Sequence, residues 1–203
     1  MGSTPPLAAT IRHLILDRDG VLNQEAPDHG YILRPADFRW LPGSLAALAT
    51  LSGLGLRLSI ATNQSAVGRG LMTAQDLDRV LAAMLEQAQA AGARIAGVFV
   101  CRHAPDDHCD CRKPAPGLIL SALQESGIPA GETLLVGDDV RDVGAARAAG
   151  IAAALVRTGK GWRAAAQLLA RGEVVPVYED LAQFARSLAG GDANTQFPGP
   201  GYP

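Results

Sequence analysis

Short apolar runs separated by longer amphipathic stretches set the plan of this chain. The runs are His13 to Leu16, Leu56 to Ala61, Gly97 to Val100, Thr133 to Val136 and Ala152 to Val156. They lack a strict apolar–polar alternation, so they fit strands buried on both faces, as in a parallel sheet covered by helices. Between them, helical spacing predicts helices over 44–54, 73–91, 116–126, 140–149 and 162–170. The stripe Leu77, Val80, Leu81, Met84 and Leu85 reads as the core face of the second of these. A last strand is expected over 174–178 and a last helix over 179–188. The stretch 190–203 is rich in Gly and Pro without periodicity and is expected to be a mobile tail. The expectation is one α/β domain over 11–189, a doubly wound, mainly parallel Rossmann-like sheet flanked by helices.

In such sheets ligands sit beyond the carboxyl ends of the strands. Polar residues stand at those places: Asp17 and Asp19, Thr62 and Asn63, Cys101, and Asp138. Two carboxylates at i and i+2 past a buried strand repel each other unless a cation or a proton intervenes. Asp17 and Asp19 therefore read either as a nucleophile with an acid/base partner and Mg²⁺, or as a polar turn ending in Gly20. Around Gly137-Asp138-Asp139-Val140-Arg141-Asp142 one acid is explained as a helix cap. A hard oxygen-seeking cation explains the others better. Thr62 to Ser65 supplies hydroxyl and amide groups that could hold phosphoryl oxygens, or form an ordinary polar loop. Arg112 and Lys113 are either a surface basic pair or charge balance for a transferring phosphoryl group.

All three cysteines fall in one short stretch beside histidines. Cys101, His103, Cys109 and Cys111 form a set that suits a closed, tetrahedral structural Zn²⁺. His108 adjoins Cys109 and would strain the chelate, so His103 is the expected fourth ligand. The loop runs directly into Arg112 and Lys113, so the metal would fix where those cations point.

Composition narrows the class. Lys and Arg number 18 against 20 Asp and Glu, a formal net charge of −2, and aromatic residues are 4%. Neither suits a nucleic-acid or anionic-membrane binder. Hydrophobic residues at 48% exceed what a disordered chain carries, and no apolar run approaches a membrane span. The first residues lack the pattern of a signal peptide, which gives the expectation of a cytoplasmic protein.

The ordered set Asp17-x-Asp19-Gly20, Thr62-Asn63, Lys113 and Gly137-Asp138-x-x-x-Asp142 resembles the four motifs of the haloacid dehalogenase superfamily of phosphatases. The resemblance spans roughly residues 11 to 170. It implies that Asp17 attacks phosphorus and becomes an aspartyl-phosphate, and that Asp19 protonates the leaving oxygen and later activates water. It further implies that Thr62 and Lys113 hold the phosphoryl group. Mg²⁺ would sit on Asp17, the backbone carbonyl of Asp19, and Asp138, with Asp142 orienting that shell. Among relatives with a zinc loop, the segments LDRDGVLN, HGY, TNQSAVGRG, CRKPAPG and VRTGKG resemble those of the heptose bisphosphate phosphatases. The histidinol-phosphate phosphatases are the nearest rival family. This resemblance implies a sugar pocket lined by Asn23, Asp28, His29, Gly30 and Tyr31, substrate contacts from Thr62, Asn63, Gln64 and Ser65, and recognition of a distal phosphate by Arg112 beside Lys113. It also implies a place in making lipopolysaccharide precursors and a small phosphorylated substrate as partner. The lack of an obvious large cap domain gives the expectation of a monomer whose access is governed by minimal cap loops around 23–34 and 101–111. One position departs from the pattern. Relatives often carry a basic residue directly after the first Asp of the fourth motif, and here it is Asp139, which is expected to repel a phosphate.

Overall fold

The computed structural model describes residues 11–26 and 30–190. Six strands form one sheet: β1 (His13–Leu16), β2 (Arg57–Asn63), β3 (Ile95–Cys101), β4 (Thr133–Gly137), β5 (Ala152–Val156) and β6 (Val177–Tyr178). Their order is β3-β2-β1-β4-β5-β6, and every pairing is parallel. The order reverses at β1, whose neighbours are β2 and β4. That is the switch point at which open parallel sheets bind ligands.

Side chains of successive strand residues point to opposite faces, and the packing follows that rule. Leu14, Leu16, Leu58, Ile60, Leu134 and Val136 belong to one core layer, together with α1 (Ser44–Gly53), α2 (Ala74–Ala90) and α6 (Leu181–Gly190). Ile15, Ala61 and Leu135 belong to the other, with α3 (Gly117–Ser126) and α4 (Val140–Ala148). A smaller cluster joins Val143 and Leu155 to Ala164 and Leu168 of α5 (Gly161–Ala170). The central strands have no polar face because helices cover both sides.

Helix starts follow their caps. Thr73 accepts from the Asp76 amide at 3.1 Å while Asp76 accepts from the Thr73 amide at 3.1 Å, a reciprocal box that begins α2. At α6, Asp180 accepts from the Gln183 amide at 2.6 Å, so the helix begins at Leu181, two residues later than its periodicity implied. The last strand is also shorter than expected. Pro176 has no N–H to extend the ladder and only accepts, from Leu155 at 2.9 Å. In the other direction, β2 runs on through Thr62 and Asn63, and β3 through Cys101. Those polar residues are therefore strand ends, fixed by the sheet itself. Gly190 closes α6, and the rest of the expected tail lies outside the described residues. Among the described residues no helix is long and apolar enough to cross a membrane.

Candidate active site

The carboxyl edges of β1, β2 and β4 open into a cavity of about 240 Å³. Asp17 follows β1, and its amide donates to Val136 at 2.9 Å, which ties the residue to β4. Its Oδ1 accepts from the Arg18 amide at 2.7 Å and lies 2.9 Å from Lys113 Nζ. The same ammonium is 2.6 Å from Asp142 Oδ1. Asp142 Oδ2 in turn accepts from the amides of Asp138 (3.2 Å) and Asp139 (3.0 Å). This bond pair caps the start of α4.

Lys113 is held from behind by Asn63. The Asn63 amide donates to the Lys113 carbonyl at 3.0 Å and accepts from the Lys113 amide at 3.1 Å. Close backbone approach completes the pocket floor. Gly20 has φ +81° and Gly159 φ +57°, and a Cβ on either would lie 2.1 Å from Asp138 Oδ2. Only glycine fits both demands. Asp138 Oδ2 accepts from the Lys160 amide at 2.8 Å, and Thr158 donates to the Gly20 carbonyl at 2.6 Å, so the turn after β5 is fastened to the turn after β1.

The electrostatics are those of crowded acids. Burial pushes Asp138 up to about 8, aided by the charges of Asp17 and Asp142. Burial also raises Asp17 to about 6; Lys113 pulls against it, while Asp142 and Asp19 add to the rise. For Lys113 burial opposes the charge, but Asp142 and Asp17 outweigh it and hold the ammonium well above its ordinary value. Oxygens of Asp17, Asp138 and Asp142 lie within 4.8 Å of one another. A buried all-oxygen set with more carboxylates than its one lysine can balance fits Mg²⁺.

Asp19 has a different setting. Arg18, itself 1% exposed, grips it with Nη2 at 2.8 and 2.9 Å and Nε at 3.2 Å. Asn23 donates to it at 2.9 Å and Gln64 at 2.7 Å. Burial works against the charge, but Arg18 and the hydrogen bonds from Arg18, Asn23 and Gln64 bring the carboxyl below its ordinary value. Arg18, hidden between the two acids, carried no signal in the sequence beyond its position. Glu25, Arg141 and Lys160 also line the cavity without having been singled out there.

Of the residues expected to meet substrate, Gly30, Tyr31, Thr62, Asn63, Gln64, Ser65, Arg112 and Lys113 line the cavity. Asn23 does not. It is fully buried, and its amide is occupied by Asp19 and by the Gln24 carbonyl at 2.8 Å. Asp28 and His29 lie outside the described residues. Asp139 lines the cavity but is matched by Arg141, with Oδ1 on the Arg141 amide (3.0 Å) and Oδ2 on Nη2 (2.7 Å).

A second cluster sits beside the first. Cys101 Sγ is 3.6 Å from Cys109 Sγ and 3.7 Å from His103 Nδ1, while Cys111 Sγ is 3.4 Å from Cys109 Sγ and 3.3 Å from His103 Nδ1. Zn–S bonds of ~2.3 Å meeting tetrahedrally give ligand-to-ligand edges of roughly 3.8 Å, so the donors and their spacing fit zinc. His108 is not among the four. Its backbone takes φ +49° at the turn that brings Cys109 back.

An acid directly after β1, a strand-end Thr, a buried Lys and an acid pair after β4 define this as a hydrolase of the haloacid dehalogenase class. A HAD-hydrolase-like family model matches residues 110–184. The D-glycero-beta-D-manno-heptose-1,7-bisphosphate 7-phosphatase of Neisseria meningitidis serogroup A is 39% identical over 181 residues, covering 86% of this chain and 93% of the relative. That of Pseudomonas aeruginosa is 38% identical over 175 residues, covering 86% and 96%. The crystal structure of the D,D-heptose 1,7-bisphosphate phosphatase from B. bronchiseptica, complexed with magnesium and phosphate, superposes with a TM-score of 0.81 at 36% identity, covering 89% of this chain and 99% of that one. The chain belongs to the heptose-1,7-bisphosphate 7-phosphatase family.

Proposed function

We propose that this chain removes the 7-phosphate of D-glycero-β-D-manno-heptose 1,7-bisphosphate, using Mg²⁺, with zinc shaping the loop over residues 101–111. The observation that carries the reading is one cavity lined together by Asp17, Lys113, Asp138, Asp142 and Arg112, with Lys113 paired to both Asp17 and Asp142. Relatives with that named activity cover nearly the whole chain.

In this reading the Asp17 carboxylate attacks the 7-phosphorus. The bond from phosphorus to the sugar oxygen breaks, and Asp19, entering this step in the protonated form that Arg18 disfavours, delivers its proton to that oxygen. Asp19, now a carboxylate, takes a proton from water, whose oxygen attacks the aspartyl-phosphate, releasing phosphate and restoring Asp17. Lys113 Nζ and the Thr62 hydroxyl hold the equatorial oxygens, where the transferring group carries its charge. Bound Mg²⁺ supplies the positive charge that the acid cluster lacks. Asp142 positions Lys113, and Asn63 fixes its backbone. The zinc-fixed loop sets the direction of Arg112. The enzyme would act as a cytoplasmic monomer in supplying lipopolysaccharide heptose.

The test is turnover of four substrates: heptose 1,7-bisphosphate as its separate β and α anomers, histidinol phosphate and an aryl phosphate. A kcat/KM for the β-bisphosphate at least about a hundredfold above the last two supports the reading. Comparable rates on all four reduce the chain to a broad-range phosphatase, and a preference for histidinol phosphate reassigns it.

A further inference from the structure

The cavity has two electrostatic ends. Its floor holds the carboxylates gathered around Lys113, and its walls carry Arg112, Arg141 and Lys160. Lys160 is paired with Glu25 across the mouth. Arg112 has no acidic partner among the described residues, and its Nη1 is buried without an acceptor. An unmet buried donor is destabilising, and a ligand oxygen would satisfy it.

Arg141 is the less obvious cation. It sits in the first turn of α4, and its only side-chain acceptor among the described residues is Asp139, met through Nη2 at 2.7 Å. The acid is turned inward, 13% exposed, while the guanidinium is turned outward, 40% exposed. A guanidinium has five N–H donors, and Asp139 is the one side-chain acceptor they meet among the described residues, while Arg141 lines the cavity. Arg141 and Lys160 are close enough to repel each other, and an anion between them would relieve that repulsion. The acid at 139 therefore does not present a negative wall: it caps α4 and steadies a cation.

We infer that Arg141 is a specificity-determining residue that binds, together with Arg112, the anionic group of the substrate farthest from the attacked phosphorus, and that Asp139 positions it. The inference rests on the proposed sugar-bisphosphate reading and names the residues that distinguish a bisphosphate from a monophosphate. Arg is suited to the task because its planar fork matches phosphate oxygens in pairs.

The experiment compares heptose 1,7-bisphosphate with heptose 7-phosphate for the wild type, Arg141→Gln, Asp139→Asn and the double variant. Arg141→Gln is expected to raise KM for the bisphosphate about 10- to 100-fold with kcat within about threefold. The bisphosphate preference should then fall at least about tenfold. The double variant should stay equally unselective, since no charged Asp139 remains to blame, while Asp139→Asn alone, which keeps the cation but loosens its holder, should weaken the preference by less than Arg141→Gln does. A ratio unchanged by Arg141→Gln, an equal loss on both substrates, or recovery of the preference in the double variant overturns the inference and leaves the phosphatase reading standing. A wild type that does not prefer the bisphosphate removes both. The double variant replaces a neutral pair with a neutral pair, so it also serves if the single variant folds poorly.

Discussion

Lys113 and Asp142 meet Nζ to Oδ1 at 2.6 Å, both side chains almost entirely withdrawn from water. The same ammonium reaches Asp17 at 2.9 Å. One cation thus serves two buried carboxylates, and its backbone is clasped by Asn63 from the neighbouring strand.

Lys113→Met should therefore be costly in two ways. Removing one member of a buried ion cluster leaves uncompensated charge, worth about 3–5 kcal/mol. Urea unfolding should show that loss at neutral pH, alongside loss of turnover. Adding Asp142→Asn to Lys113→Met should recover part of the stability but none of the activity. A single variant within about 1 kcal/mol of wild type would contradict the burial argument.

The raised acids give a pH signature. Asp138 at about 8 and Asp17 at about 6 bind protons in the folded chain at pH values where the unfolded chain, near 3.8, has released them. Their contribution is complete below about pH 4 and is lost as pH rises through 6 and 8. In magnesium-free buffer the thermal midpoint should then fall between pH 5 and pH 8 relative to an Asp138→Asn variant. Magnesium competes with those protons, so its stabilisation should be larger at pH 8 than at pH 6. Equal magnesium-induced shifts at both values would remove the acid cluster from the binding site.

Most of the frame was legible in the chain, because a parallel sheet advertises itself as unbroken apolar runs with polar residues at their carboxyl ends. Asp17, Thr62 and Asp138 were visible for that reason, and Lys113 only as part of the basic pair after the cysteine cluster. What stayed hidden depended on tertiary distance. Arg18 looks like an ordinary loop cation until it is seen buried on Asp19, and Asn23 looks like a pocket residue until its amide is found already occupied. Asp139 looked repulsive because sequence gives the charge of a residue and not its partner two positions on. The shortened β6 follows from Pro176, a local rule that the apolar pattern overrode.

Gly159→Ala tests the close packing of the turns. The left-handed backbone and a methyl group 2.1 Å from Asp138 Oδ2 cannot both be accommodated. The variant should lose about 1–3 kcal/mol of stability and weaken magnesium affinity, read by calorimetric titration. Gly55→Ala shares a positive φ of +79° but has nothing within 4 Å, so it should lose stability while keeping wild-type magnesium affinity.

Zinc removal should act on the loop before the sheet. The four donors bridge the end of β3 to the residue preceding Arg112. Cys109→Ser is expected to abolish stoichiometric zinc, measured by metal analysis, and to open the 102–111 segment to proteolysis. KM for the bisphosphate should rise more than kcat falls, because Arg112 loses its fixed direction. Unchanged kinetics in a zinc-free protein would sever the link from metal to phosphate recognition.

Asp19 carries the sharpest kinetic prediction. Its carboxylate is held by Arg18, Asn23 and Gln64 at 2.7 to 3.2 Å, in position but not bonded to Asp17. As acid in the first step and base in the second, it should be dispensable for the first step only when the leaving group needs no proton. Asp19→Asn should lower kcat on the heptose bisphosphate about 10²- to 10⁴-fold, without a burst. On an activated aryl phosphate the same variant should release a burst of phenol stoichiometric with enzyme, then stall as the aspartyl-phosphate accumulates, detectable by mass spectrometry as a phosphorylated Asp17. Gln64→Leu, which removes one of the three holders, should lower kcat about tenfold with little change in KM. A burst with the sugar substrate, or none with the aryl ester, would take the proton transfer away from Asp19.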